Sequence, residues 1–134
     1  MQRVTLWGRT LQNISSRINH HQQQLTMPMC QLFTSRRECD LKDGIELRFA
    51  QVIAKTLGKP LERVTIVIHT NHHFLRAGTL EPAALLSVTS AGVFDEKRNP
   101  TYTPDLKNAM QTELDLPAER CQIMYNDFNI KFVA

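Results

Sequence analysis

The 134-residue sequence has no long apolar run, few aromatic side chains and only three cysteines. None of its apolar stretches approaches the ~18 residues that a membrane-spanning helix needs, so no membrane span is expected. Cys30, Cys39 and Cys121 show no CxxC spacing, and an odd number cannot all pair. They read as free thiols of a reducing compartment or as small apolar packing groups. Acid is missing altogether from the first 26 residues. Arg3, Arg9 and Arg17 are the only formal charges before Arg36, so residues 27–134 are balanced at 13 basic and 13 acidic side chains. A neutral body carries no electrostatic footprint for nucleic acid.

What is present divides the chain in two. In residues 1–26, Val4, Trp7, Leu11, Ile14 and Ile18 recur at helical spacing among arginines, serines and threonines. That is the composition of a mitochondrial presequence; the alternative is an N-terminal extension that stays disordered and folds onto nothing. A secretory signal does not fit, because there is no continuous apolar core. His20-His21-Gln22-Gln23-Gln24 reads as a linker, and residues 27–134 as one domain.

Within that domain the pattern is strand, helix, strand, given twice. The first strand is 29–34, and an apolar stripe of Leu41, Ile45, Phe49, Val52, Ile53 and Leu57 predicts a helix over 41–57. Gly58 supplies a left-handed stop and Pro60 prevents a restart. A β-branched strand follows at 64–68, then an irregular connection over 69–83 holding His69, His72 and His73. No cysteine or carboxylate stands close enough to complete a zinc site with them, so they read as surface histidines, and no metal or cofactor is expected. A third strand at 84–90 precedes a second helix, with Thr103 as N-cap and Pro104 at its first position. Pro117-Ala118-Glu119-Arg120-Cys121-Gln122-Ile123 then echoes Pro60-Leu61-Glu62-Arg63-Val64-Thr65-Ile66. The fold class expected is α/β (α+β): two βαβ repeats making a four-stranded mixed sheet with two helices on one face. Strands 64–68 and 84–88 are apolar at nearly every position, which predicts another subunit against the second face.

Met27-Pro28-Met29 at the start of the first strand is the stretch with chemical promise. Proline lacks an N–H and suits the first residue of a strand. Were Met27 an initiator and removed, Pro28 would carry a free secondary amine, which can act as a general base.

The chain from Pro28 to about Asp127 resembles the macrophage migration inhibitory factor and D-dopachrome tautomerase family. The resemblance rests on Met27-Pro28-Met29 before a strand, Gly58-Lys59-Pro60 after the first helix, Glu81-Pro82-x-Ala84 entering the third strand and Ser90-Ala91-Gly92 leaving it. It implies a homotrimer and a keto–enol tautomerase acting on small aromatic α-keto acids or dopachrome-like substrates. Pro28 would be the base and Lys59 the cation that binds substrate, with Met29, Ala91 and Gln122 lining the pocket. It also implies a cytoplasmic protein, or one secreted without a signal peptide that meets a cell-surface receptor. The sequence departs from the family pattern at several points. Gln122 and Met124 stand where a tyrosine and an asparagine are common, Ala91 where a larger aliphatic residue is, and Ala83 and Leu86 where a cysteine pair falls. A shortened C-terminal hairpin is expected as well. These departures support an alternative, a catalytically impaired binding protein or structural paralogue of the same fold.

Overall fold

The computed structural model describes residues 27–127. The expectations for the presequence, the linker and the C-terminal hairpin lie outside these residues. Four strands, β1 Met29–Thr34, β2 Thr65–His69, β3 Ala84–Ser90 and β4 Cys121–Asp127, form one sheet in the order β2-β1-β3-β4. β1 runs parallel to β2 and antiparallel to β3, and β3 runs parallel to β4. Helices α1 (Ile45–Leu57) and α2 (Asn99–Leu114) are the crossovers of the two βαβ units. The expected fold class holds.

Alternation along the strands decides what is buried. Cys30, Leu32 and Thr34 of β1, with Leu86 and Val88 of β3, point toward the helices and are fully covered. Ile45, Phe49 and Ile53 from α1 meet them, as do Leu106, Met110 and Leu114 from α2. Along the other face Met29, Phe33, Val67, Leu85 and Met124 alternate with Gln31, Thr65, Ser87, Thr89 and Asn126. The expectation of two apolar faces is therefore corrected. The second face is half polar, and Asn126 donates to Ser87 Oγ at 2.8 Å along it. Apolar surface remains, with Met29 54%, Val67 46% and Met124 48% exposed.

Three boundaries differ from the sequence pattern, each for a local reason. α1 starts at Ile45 rather than 41, because Gly44 before it is left-handed (φ 78°) and cannot continue a helical turn. Leu41 instead closes a 3₁₀ turn over Glu38–Asp40. α2 starts at Asn99 rather than 103, because Asp95 does the capping. Its carboxylate accepts the N–H groups of Lys97 (3.0 Å) and Arg98 (2.6 Å), while Asp95 N–H donates to Asn99 Oδ1 (3.1 Å). Thr103 then sits inside the helix, donating to the Asn99 carbonyl, and Pro104 forgoes one helical hydrogen bond. β2 extends to His69, which is thus a sheet residue and not a loop one.

Phe49 is fully enclosed between α1 and the sheet, so Phe49→Ala should destabilise the protein by about 3–5 kcal/mol through lost transfer energy and a residual cavity. Leu75→Ala, at a position 72% exposed, should change stability by less than ~0.5 kcal/mol. Urea unfolding of both at one fixed protein concentration checks the contrast.

Candidate functional site

Pro28 is fully buried and stands immediately before β1. Its carbonyl accepts the Thr65 N–H at 3.0 Å, so the β1–β2 ladder continues through a residue that can only accept. By register, Pro28 lies between Val64 of the parallel neighbour and Ser90 of the antiparallel one. Ala91, 9% exposed, follows Ser90 at the same end of the sheet.

Lys59 reaches this end through a helix terminus. Gly58 is left-handed (φ 65°), the Lys59 N–H donates to the Ala54 carbonyl at 2.9 Å and the Gly58 N–H to that of Lys55 at 3.4 Å. This paired 6→1 and 5→2 closure is a Schellman motif, and it fixes the backbone from which the Lys59 side chain departs. The chain then enters a 3₁₀ turn over Leu61–Arg63 and pairs with β1 at Thr65. Pro28, Met29, Lys59 and Ala91 are thus gathered at one end of the sheet.

Gln122 is not among them. It shares a row with Leu85 and Phe33, at the far end from Pro28. Phe33 is five steps along the strand from Pro28, about 16 Å. Within one chain the two cannot line one pocket; a Gln122 beside Pro28 has to come from another copy. Two surface hollows lie on the helix layer, and Pro28, Met29, Lys59 and Ala91 line neither. One, of about 350 Å³, runs between α1 and α2 and is lined by Arg48, Lys55, Asp105 and Glu113. The other, of about 690 Å³, is open and flanks the start of α2 at Asn99, Thr103 and Lys107. The first is crossed by the Arg48–Glu113 ion pair, and its role is packing of the helix layer.

Two groupings escaped the sequence reading. Phe33 stacks on His69 at 4.6 Å between centroids, with His72 edge-on to both, and His69 Nε2 lies 3.1 Å from Gln31 Oε1. Arg76 donates from Nη1 to Gln122 Oε1 at 3.0 Å. Nothing in the spacing pointed to either, since both join the 69–83 connection to strands distant in sequence. Among the described residues no group of three His, Cys, Asp or Glu side chains could hold a metal.

The fold agrees with comparison to known proteins. The family model for macrophage migration inhibitory factor matches residues 27–134. D-dopachrome decarboxylase of Gallus gallus is 33% identical over 100 residues, covering 74% of this chain and 85% of that protein. MIF-like protein mif-2 of Caenorhabditis elegans is 26% identical, covering 75% and 84%. The solved macrophage migration inhibitory factor from Trichinella spiralis superposes with a TM-score of 0.75 at 24% identity, over 79% of this chain and 94% of that one, a likeness of fold. The chain belongs to the macrophage migration inhibitory factor family.

Its thiols stand apart from the site. Cys30 and Cys121 are buried and Cys39 is exposed. Burial pushes the Cys30 thiol up to about 12 and raises that of Cys121, so neither forms the thiolate that exchange chemistry needs. Ala83 and Leu86 are fully buried and bring no sulfur. Titration of the native protein with a chromogenic disulfide at pH 8 should therefore count one fast thiol per chain, lost in Cys39→Ser. Three should appear only after denaturation.

Proposed function

We propose that the chain is a keto–enol tautomerase of small aromatic α-keto acids, with the Pro28 nitrogen as base in the form of the protein that begins at Pro28. The observation that carries this reading is the placement of Pro28. It is buried at the end of an interior strand, pinned by its carbonyl to Thr65, at the same end of the sheet as Lys59. A free secondary amine there would be held rigidly and partly desolvated, and burial and a neighbouring cation both favour its neutral, basic form near pH 7. The nitrogen takes a proton from the carbon between ring and carbonyl. Negative charge then develops on the carbonyl oxygen, where the Lys59 ammonium stabilises it. Return of the proton to that oxygen gives the enol, with no net gain or loss of atoms. No cofactor is required. The names of the relatives, among them a D-dopachrome decarboxylase, fit proton-transfer chemistry at an enolisable centre.

The pocket is completed by a second copy in a homotrimer, since Gln122 lies five positions along the sheet and two strands across from Pro28 in its own chain, more than about 16 Å, and the open face retains Met29, Val67 and Met124. Covering that face contributes about 25 cal/mol per Å² of apolar area. A second reading, a receptor-binding protein without turnover, is favoured by one observation: Met124 offers neither donor nor acceptor to a substrate on this face.

Where Met27 precedes it, the Pro28 nitrogen is an amide whose lone pair is delocalised into a carbonyl, and it cannot take a proton. The protein beginning at Pro28 should enolise phenylpyruvate roughly 10²-fold or more faster than the full-length chain. Pro28→Gly should lower kcat, and Lys59→Ala should lower kcat/KM about tenfold, the worth of one charge-assisted contact. Equal rates for the two forms would remove Pro28 from the mechanism, and inactivity of both would leave the binding-protein reading.

Sedimentation equilibrium of the Pro28-initiated protein should return three chain masses. A well-folded monomer at micromolar concentration would defeat the shared pocket.

A further inference from the structure

The connection between β2 and β3 is irregular, yet one side chain in it is held on every side. Ala77 and Gly78 both have positive φ (50° and 76°), so the chain folds back on itself, and Arg76 and Thr79 exchange backbone hydrogen bonds at 3.1 and 3.0 Å. Arg120, 5% exposed, locks this turn from below. Its guanidinium donates to the carbonyls of Arg76 (2.9 Å), Glu81 (2.6 Å) and Pro82 (3.1 Å). With its backbone fixed, Arg76 extends along β4, donating from Nε to the Glu119 carbonyl at 3.0 Å and from Nη1 to Gln122 Oε1 at 3.0 Å.

Two consequences follow for the exposed corner at Gln122. The amide oxygen of Gln122 is engaged by Arg76, so the amide NH₂ is the end it presents outward. The acceptors of Arg76 are neutral oxygens, and among the described residues no ion pair includes it. Its charge is positioned without being neutralised. A flat guanidinium beside an amide NH₂ is a donor array that matches a carboxylate.

We infer that Arg76 is a specificity-determining residue: Arg76 and Gln122, both from the neighbouring copy, together receive a second acidic group of the substrate, remote from the carbon that loses its proton. The inference rests on the shared pocket proposed above, though not on turnover. Lys59 faces the α-keto carboxylate at the Pro28 end of one chain. The Arg76–Gln122 corner of the next supplies the opposite wall. The substrate class is then an aryl α-keto acid carrying a further carboxylate on its ring.

The test uses binding, with phenylacetate and 4-(carboxymethyl)benzoate as unreactive probes for the Pro28-initiated protein in calorimetric titration. The dianion should bind at least about tenfold more tightly than phenylacetate, a gap equal to one charge-assisted contact. Arg76→Gln should bring the gap below twofold without altering phenylacetate affinity, and Arg76→Lys should restore most of it. Gln122→Leu, which keeps the cation and removes the amide, should reduce the gap by a smaller factor. Equal affinities in the parent protein, or a gap that survives Arg76→Gln, would overturn the inference. A gap that Arg76→Gln abolishes, in a protein that does not enolise phenylpyruvate, would sustain the inference and remove the tautomerase reading. Turnover without a gap would do the reverse.

Discussion

β1 is hydrogen-bonded along both edges, to β2 on one side and β3 on the other, and the site depends on that. A strand so placed has no spare backbone donor, so a proline fits only at the step where the ladder asks for an acceptor alone. Pro28 stands at that step, its carbonyl taken by Thr65. The same pairing aligns the start of β1 with the end of β3, bringing Ala91 to the proline. It also aligns it with the start of β2, to which the α1 terminus leads. Moving β1 by one residue would turn Cys30, Leu32 and Thr34 out of the core and Met29 into it. The core thus holds the proline in register.

The two βαβ units are alike in backbone and unlike in chemistry. Each helix ends in a left-handed residue followed by a 6→1 hydrogen bond: Gly58 then Lys59 to Ala54 in the first, Asp115 then Leu116 to Gln111 in the second. Each is followed by a proline and a 3₁₀ turn ending in arginine, Arg63 and Arg120. Where the first unit places the ammonium of Lys59, the second places Leu116, which is buried. Where the first has Pro28, the second has Ala84 in mid-chain. The two halves share one backbone plan, and only the first carries a proline immediately ahead of its first strand and a lysine after its helix.

This likeness explains what could be read in the sequence. The strand, helix and strand order, the sheet class and the Gly58-Lys59-Pro60 terminus were all legible, because each is a local pattern with one physical solution. The start of α2 was not. Thr103-Pro104 offers the right residue types for a cap, but Asp95 and Asn99 upstream start the helical turns earlier, with Asp95 taking the N–H groups of Lys97 and Arg98 and Asn99 returning a reciprocal hydrogen bond. The open face was misread because Ile66 and Ile68, which serve the helix side, were counted together with Val67, which does not. Of the candidate site, Pro28, Lys59 and Ala91 could be placed at one sheet end from connectivity alone. The Arg76–Gln122 contact could not, since 46 residues separate its members and the connection that brings them together has no periodicity to read.

Among the described cations, two modes of placement bear on function. Arg37, Lys42, Arg48 and Arg98 meet the carboxylates of Asp40, Asp115, Glu113 and Asp95. Their charge is spent within the fold, chiefly at helix ends and across the helix pair. Lys59 and Arg76 are placed by backbone devices instead, a helix cap and a two-residue turn, and neither meets a carboxylate among the described ion pairs. A cation positioned by backbone geometry keeps its attraction for an incoming anion and needs no displacement of a partner to express it. The domain is balanced in formal charge overall, so the field an acidic ligand meets is set by where single cations stand. With Lys59 at the Pro28 end of the sheet and Arg76 at the other, a single chain presents them too far apart for one small ligand. In the trimer proposed above, juxtaposed copies would bring them to opposite walls of one pocket, and the length between the walls would select the acid.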